Sequence, residues 1–348
     1  MTHTSYTGIA AFLALLRIVL SMCLVCAAVP TWWKQNLSAT KSEENRSSLL
    51  ISLAFVVVVL NIASWPLLYA LLQSYVEQWP NTMCIYGVTQ IGKGTSGLSR
   101  LLPTLLDVLQ ILRPIVLFMS GTAATVYLID RRTTTSALIR RLAHVTLYTG
   151  ALTAIDAGIE LAYVVLPRTE VQITGGCCTS PLEALERDYR FRPEPLVSQS
   201  QRTVVFWGYY GLNTTVIAGL LAATLRKSLP GVFPYEAGFI DAVLGFASLL
   251  TLPVGLLFLR SVAAPAILGL PYHQCPYDLV AAAPESLIGV AASLIGTFSL
   301  WWAILIPRIA GGSQTRAFMP DIVARLQFVA LVGYAASLVL ITMELLIA

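Results

Sequence analysis

The chain has 348 residues, of which 56% are hydrophobic and only 11% charged, and its mean hydropathy is strongly positive. A soluble domain carries about 25% charged residues, so one or two soluble domains of this length are excluded, and so is a disordered chain, which would be poor in apolar residues. A net charge of +4, with no basic tail and no Cys/His finger, gives no reason to expect a nucleic-acid partner, and what remains is a polytopic membrane protein.

Spanning segments are either helices of about 20 apolar residues or closed barrels of alternating strands. The apolar runs here are long and continuous, which predicts an all-α fold of eight transmembrane helices at 8–29, 49–73, 101–128, 142–166, 203–225, 236–260, 283–306 and 321–347. The first run lacks a small-residue cleavage site and reads as a retained helix, not a signal peptide. The spans group into two four-helix membrane units, 1–166 and 203–348, flanking a linker at 167–202. Loops on one face hold eleven Lys and Arg in short segments, against seven over longer segments on the other. Short basic loops stay cytoplasmic, which predicts a cytoplasmic-membrane protein with both termini exoplasmic. The sequons at Asn36 and Asn45 fall on the basic face and are read as chance.

Taken in chain order, span one carries Arg17 at mid-depth and the pair Cys23 and Cys26, whose offset places both thiols on one helix face, where cysteine packs as a small apolar group. The loop after span two holds Met83, Cys84 and the run Gly87-Val-Thr-Gln-Ile-Gly92-Lys93-Gly94. That run misses the hydroxyl residue a phosphate-binding loop needs after its lysine, so it is read as a flexible capping or re-entrant loop. Spans three and four contribute Asp107, Arg113, Asp156 and Glu160. Ionisable residues in a membrane are costly and are paired or functional. At ~1.5 Å rise per residue, Arg113 matches Asp156 in depth, Asp107 matches Glu160, and Arg17 completes the cluster.

Loop 167–202 contains adjacent Cys177 and Cys178, and Cys275 follows span six, so four loop cysteines share the exoplasmic face with Cys84. An oxidising face favours disulfides, and the simplest scheme ties Cys177 and Cys178 to Cys84 and Cys275, forming a small cap. Cys275-Pro276-Tyr277-Asp278 resembles the Cys-Pro-Tyr-Cys redox motif of glutaredoxins, with Asp278 in place of the second cysteine. The resemblance implies thiol chemistry at Cys275, with Cys84, Cys177 or Cys178 as the resolving partner. His273 and Met83 are soft ligands near these cysteines, but they are scattered, and no metal site is expected. Only His144 among the three histidines falls in a span, which leaves no facing pair for haem. Pro80-x-x-x-Cys84-x-Tyr86 and Pro271-x-x-x-Cys275-x-Tyr277 lie 191 residues apart at matching places, as a parallel 4+4 duplication would produce.

With no strong catalytic motif, the expected role is an integral subunit or accessory protein of a membrane complex, its exoplasmic loops docking an extracytoplasmic protein partner. Two alternatives come from other classes. One is a membrane thiol–disulfide oxidoreductase, for which quinone would be the cofactor. The other is a proton-coupled or small-solute transporter built on the intramembrane charges.

Overall fold

The computed structural model describes residues 5–33, 41–76, 78, 85–89, 91–92, 97–133, 138–166, 199–228, 237–269 and 275–348. Regular structure among the described residues is entirely helical, and the chain divides into two compact units, Met1–Thr179 and Ser180–Ala348.

In the first unit the long helices are α1 (Ser5–Trp33), α2 (Lys41–Val76), α4 (Leu102–Asp130, entered through a 3-10 turn at Leu98–Leu101) and α5 (Ile139–Val165). A five-residue helix, α3 (Ile85–Thr89), lies between α2 and α4. α1 packs most extensively on α5 and also on α2; α4 packs on α5 and on α2, closing a ring of neighbours. Along α1 most of the side chains that face this ring are small or polar. On α1 the buried positions are Thr7, Ala10, Ala14, Arg17, Ser21, Leu24 and Ala28, while Phe12, Leu15, Val19 and Met22 face outward. Those buried positions recur every three or four residues, the seam spacing of packed helices. Lipid tails are as apolar as leucine, so nothing drives large apolar side chains inward, and small residues that allow close approach occupy the seam. Gly150 of α5 shows how close: a Cβ there would stand 3.1 Å from the Ser21 carbonyl of α1.

In the second unit the long helices are α6 (Gln199–Ser228), α7 (Ala237–Phe258), α10 (Glu285–Ala310) and α11 (Met319–Ile347). α7 continues through a π-helical turn, Leu259–Ala263, into the short α8 (Ala264–Ile267), and α9 (Pro276–Ala282) precedes α10. Here α10 and α11 share the most extensive contact, α6 packs on α7 and α11, and α7 packs on α10. Val216 and Leu220 of α6 meet Leu244 of α7, Leu300 and Ile304 of α10, and Ala330 and Tyr334 of α11 in one core. Gly333 brings α11 onto α10, where an added Cβ would lie 2.7 Å from the Ala292 carbonyl oxygen and 2.9 Å from the Gly296 nitrogen.

Among the described residues, seven helical stretches are long and apolar enough to cross a membrane: 5–30, 49–76, 98–130, 201–225, 241–267, 285–310 and 319–347. The sequence predicts an eighth at 142–166. That segment does form a helix of 27 residues, about 40 Å at 1.5 Å per residue, but its threonines, Asp156 and Glu160 lower its hydropathy below that of the others.

Two further expectations change, and the disulfide cap lies largely outside the described residues. Residues 85–92 do not form a flexible loop where they are described: Ile85, Val88 and Ile91 are buried, and Gly92, at φ +95°, is pressed so tightly on the Ser99 carbonyl that no Cβ would fit. Cys23 and Cys26 share one face of α1, but it is the exposed face and not the packed one. No two of the described cysteines, Cys23, Cys26 and Cys275, form a disulfide, and the cap's other cysteines, Cys84, Cys177 and Cys178, lie outside the described residues, as does most of loop 167–202.

Candidate functional site

The four seams of the first unit bring charged side chains to one level. Residues 142, 146, 149, 153, 156, 160 and 163 of α5 are all buried, a run at the same seam spacing as on α1. Asp156 and Glu160 are four apart on it and so stand on one face, one above the other. α1 presents Arg17 to them. Its Nη1 donates to Glu160 Oε2 at 2.6 Å, its Nη2 donates to Asp156 Oδ2, and its Nε donates to Asn61 Oδ1 of α2 at 3.1 Å. The planar fork of a guanidinium suits this three-way donation, which the point charge of a lysine could not reproduce.

Arg113 enters from α4. Its Nη1 donates to the Ser64 carbonyl oxygen of α2 at 2.8 Å. Its Nη2 lies 2.8 Å from Glu160 Oε2, an ion contact outside hydrogen-bond geometry, and its Nε lies 3.8 Å from Asp156 Oδ1. Asn61 holds the network to its neighbours: its Nδ2 donates to Thr153 Oγ1 at 3.0 Å and to Ser120 Oγ at 3.4 Å. All four charged side chains are sealed, with Arg17 1%, Arg113 4%, and Asp156 and Glu160 0% exposed. Two guanidinium groups balance two carboxylates, so the cluster is neutral with every group ionised. Two oxygens remain without hydrogen-bond donors, Asp156 Oδ1 and Glu160 Oε1.

Of the five intramembrane residues expected to cluster, Arg17, Arg113, Asp156 and Glu160 come together and Asp107 does not. Asp107 lies between the buried seam positions Leu106 and Leu109 and is exposed. Its depth matches Glu160, but it sits six residues from Arg113, about 120° round the helix at 3.6 residues per turn. The pairing also differs from expectation. Asp156 is hydrogen-bonded by Arg17, and Arg113 approaches Glu160 more closely than Asp156. Asn61, Ser64, Ser120 and Thr153 were not singled out in the sequence. Their only signal there is a polar residue at seam spacing.

The second unit has no such charge cluster among its described residues; its centre is a set of hydroxyls. Tyr334 of α11 meets Thr297 of α10 at 2.7 Å and Thr251 of α7 at 3.4 Å, all three buried. Glu285, Asp321 and Arg325 lie in the first two turns of α10 and α11 and are exposed.

Cys275, the redox candidate of this half, is buried immediately before α9. Among the described residues no three His, Cys, Asp or Glu side chains converge as metal ligands.

No family model matches the chain, and neither a curated protein nor a solved structure is significantly similar to it.

Proposed function

We propose that this protein is an integral subunit or accessory protein of a membrane complex, its first unit a rigid body clamped by the Arg17, Arg113, Asp156 and Glu160 cluster. The observation that carries this reading is the mutual neutralisation of four sealed charges. Each arginine is spent on carboxylates or on helix α2, and the cluster joins all four long helices of the unit. Such a network fixes one arrangement of helices, a role attested for buried polar groups elsewhere.

Eight crossings, with α5 as the eighth, belong to this proposal. Over 148–165 the exposed positions of α5 are Tyr148, Ala151, Ile155 and Val165, so its lipid side is apolar and its polar side is inside. Both termini are then exoplasmic in the cytoplasmic membrane, and the loops at 74–100, 167–202 and 261–282 face an extracytoplasmic partner, tied by disulfides among Cys84, Cys177, Cys178 and Cys275. A 4+4 duplication is favoured by the same ring of neighbours in both units. Copurification at native expression in mild detergent tests the assignment: a stoichiometric companion is expected, and a stable monomer without one would reject it.

A second reading, proton-coupled transport, is favoured by one observation, the buried and undonated Glu160 Oε1 and Asp156 Oδ1. Proton-linked flux in proteoliposomes that survives Asp156→Asn and Glu160→Gln would exclude it.

A further inference from the structure

The apolar stretch of α6 begins at Gln201, and that of α7 with its continuation ends at Ile267. The two helices run in opposite directions and pack together, so these ends lie at the same level, where hydrocarbon gives way to headgroups. Between them is a groove of about 480 Å³ whose walls include Arg202, Thr203 and Phe206 on one side and Ser261, Val262 and Ala266 on the other.

The groove is polar at its outer end and apolar at its inner end. Arg202 and Thr203 occupy the outermost turn of the α6 span, and Phe206 lies one turn deeper. On the opposite wall Ala266 is outermost, with Val262 one turn further in. The π turn at Leu259–Ala263 carries both Ser261 and Val262. Insertions of this kind recur at functional sites. Phe206 is a fixed wall, held against Tyr210 at 4.7 Å and Phe258 at 6.1 Å between ring centroids. Thr203 and Ala266 are exposed, so the groove is open along its side.

A cation and a hydroxyl at headgroup level, over an apolar trough that runs toward the membrane centre, match an amphiphile with an anionic head. A positive side chain close to the membrane surface attracts anionic headgroups. A free phosphate ion would meet the same guanidinium but would leave the apolar trough unused, and the volume is far larger than such an ion needs. We propose that this groove holds one anionic phospholipid, its phosphate on the Arg202 guanidinium and the Thr203 hydroxyl and its acyl chain along Phe206 and Val262.

The test uses the full chain in mild detergent, delipidated and then titrated separately with phosphatidylglycerol, with diacylglycerol of the same chains, and with inorganic phosphate, adducts being counted by native mass spectrometry. One phosphatidylglycerol per chain is expected, with no retention of diacylglycerol and no displacement by inorganic phosphate. Arg202→Gln is expected to weaken retention about five- to tenfold, the effect of one arginine near a charged headgroup. Ala266→Trp fills the groove from an exposed position without touching Arg202, and is expected to give the same loss with unchanged helical content by circular dichroism. Equal retention in Ala266→Trp overturns the proposal, as does diacylglycerol binding as tightly as the phospholipid, or displacement of the lipid by inorganic phosphate.

Discussion

A guanidinium carries five donors and no acceptor, so burying one without partners is prohibitive, and Arg17 is buried with three. Asp156 has no other hydrogen-bonding cation, since Arg113 is 3.8 Å from its second oxygen. Removing Arg17 therefore strands a carboxylate in the seam. Arg17→Leu is expected to cost about 3–5 kcal/mol, the usual penalty for breaking a buried ion pair from one side, read as an earlier unfolding midpoint in detergent. Adding Asp156→Asn leaves Arg113 facing Glu160 alone and is expected to recover part of that loss. A single variant as stable as the parent chain would sink the clamp. How the cluster could be foreseen has a physical limit. Counting residues along a helix gives depth, which is why Arg17, Arg113, Asp156 and Glu160 stood out in the sequence. Depth says nothing about azimuth, and Asp107 failed on that account. Neutral groups such as Asn61 gave only the weak signal of a polar residue at seam spacing, because a serine, threonine or asparagine in a helix can satisfy itself on its own backbone, as Thr149 does on the Val145 carbonyl.

At the scale of elements, the helix crossings depend on glycines whose missing side chains set the separation. Gly333 meets the backbone of α10 itself, which cannot swing aside as a flexible side chain would. Gly333→Val is expected to cost about 1–3 kcal/mol or more through overpacking. By contrast, Gly211 on α6 has nothing within 4 Å of an added Cβ, and Gly211→Ala is expected to be neutral or to stabilise by about 0.5–1 kcal/mol. Parallel unfolding titrations of the two variants check the contrast, and similar losses in both would mean that backbone propensity, not the crossing, decides. The long helices were legible because each is a long apolar run. α5 was equally legible as a helix, but its hydropathy is lower than that of the seven stretches, because it carries Asp156 and Glu160 toward α1 and α4. Short elements such as α3 and α9 carry too few residues for any period to show.

At the scale of the molecule, each unit is a ring of four long helices, alike in adjacency and unlike in chemistry. The first is closed by ions, the second by hydroxyls and aromatic rings such as the stacked Tyr209 and Phe258, 4.0 Å between centroids. The predicted topology has a direct readout. If α5 crosses the membrane with the seven more apolar stretches, the two termini lie on one face, and reporter fusions at either end give the same sidedness; opposite signals would leave α5 out of the bilayer.

The ionic ring also has a temporal side. Arg17 waits for carboxylates that follow it by 139 and 143 residues. At a synthesis rate of about 5–20 residues per second, roughly 7–30 s separate the two ends of each pair. For that interval Arg17 lacks the two carboxylates it binds in the folded chain, and shelter in the insertion machinery or at the bilayer surface is expected. Chains truncated at residue 133 are accordingly expected to be degraded faster in pulse-chase than chains truncated at residue 166, and equal lifetimes would show that Arg17 needs no such shelter. Distance along the chain between a cation and its counter-ions thus becomes an interval in time during synthesis.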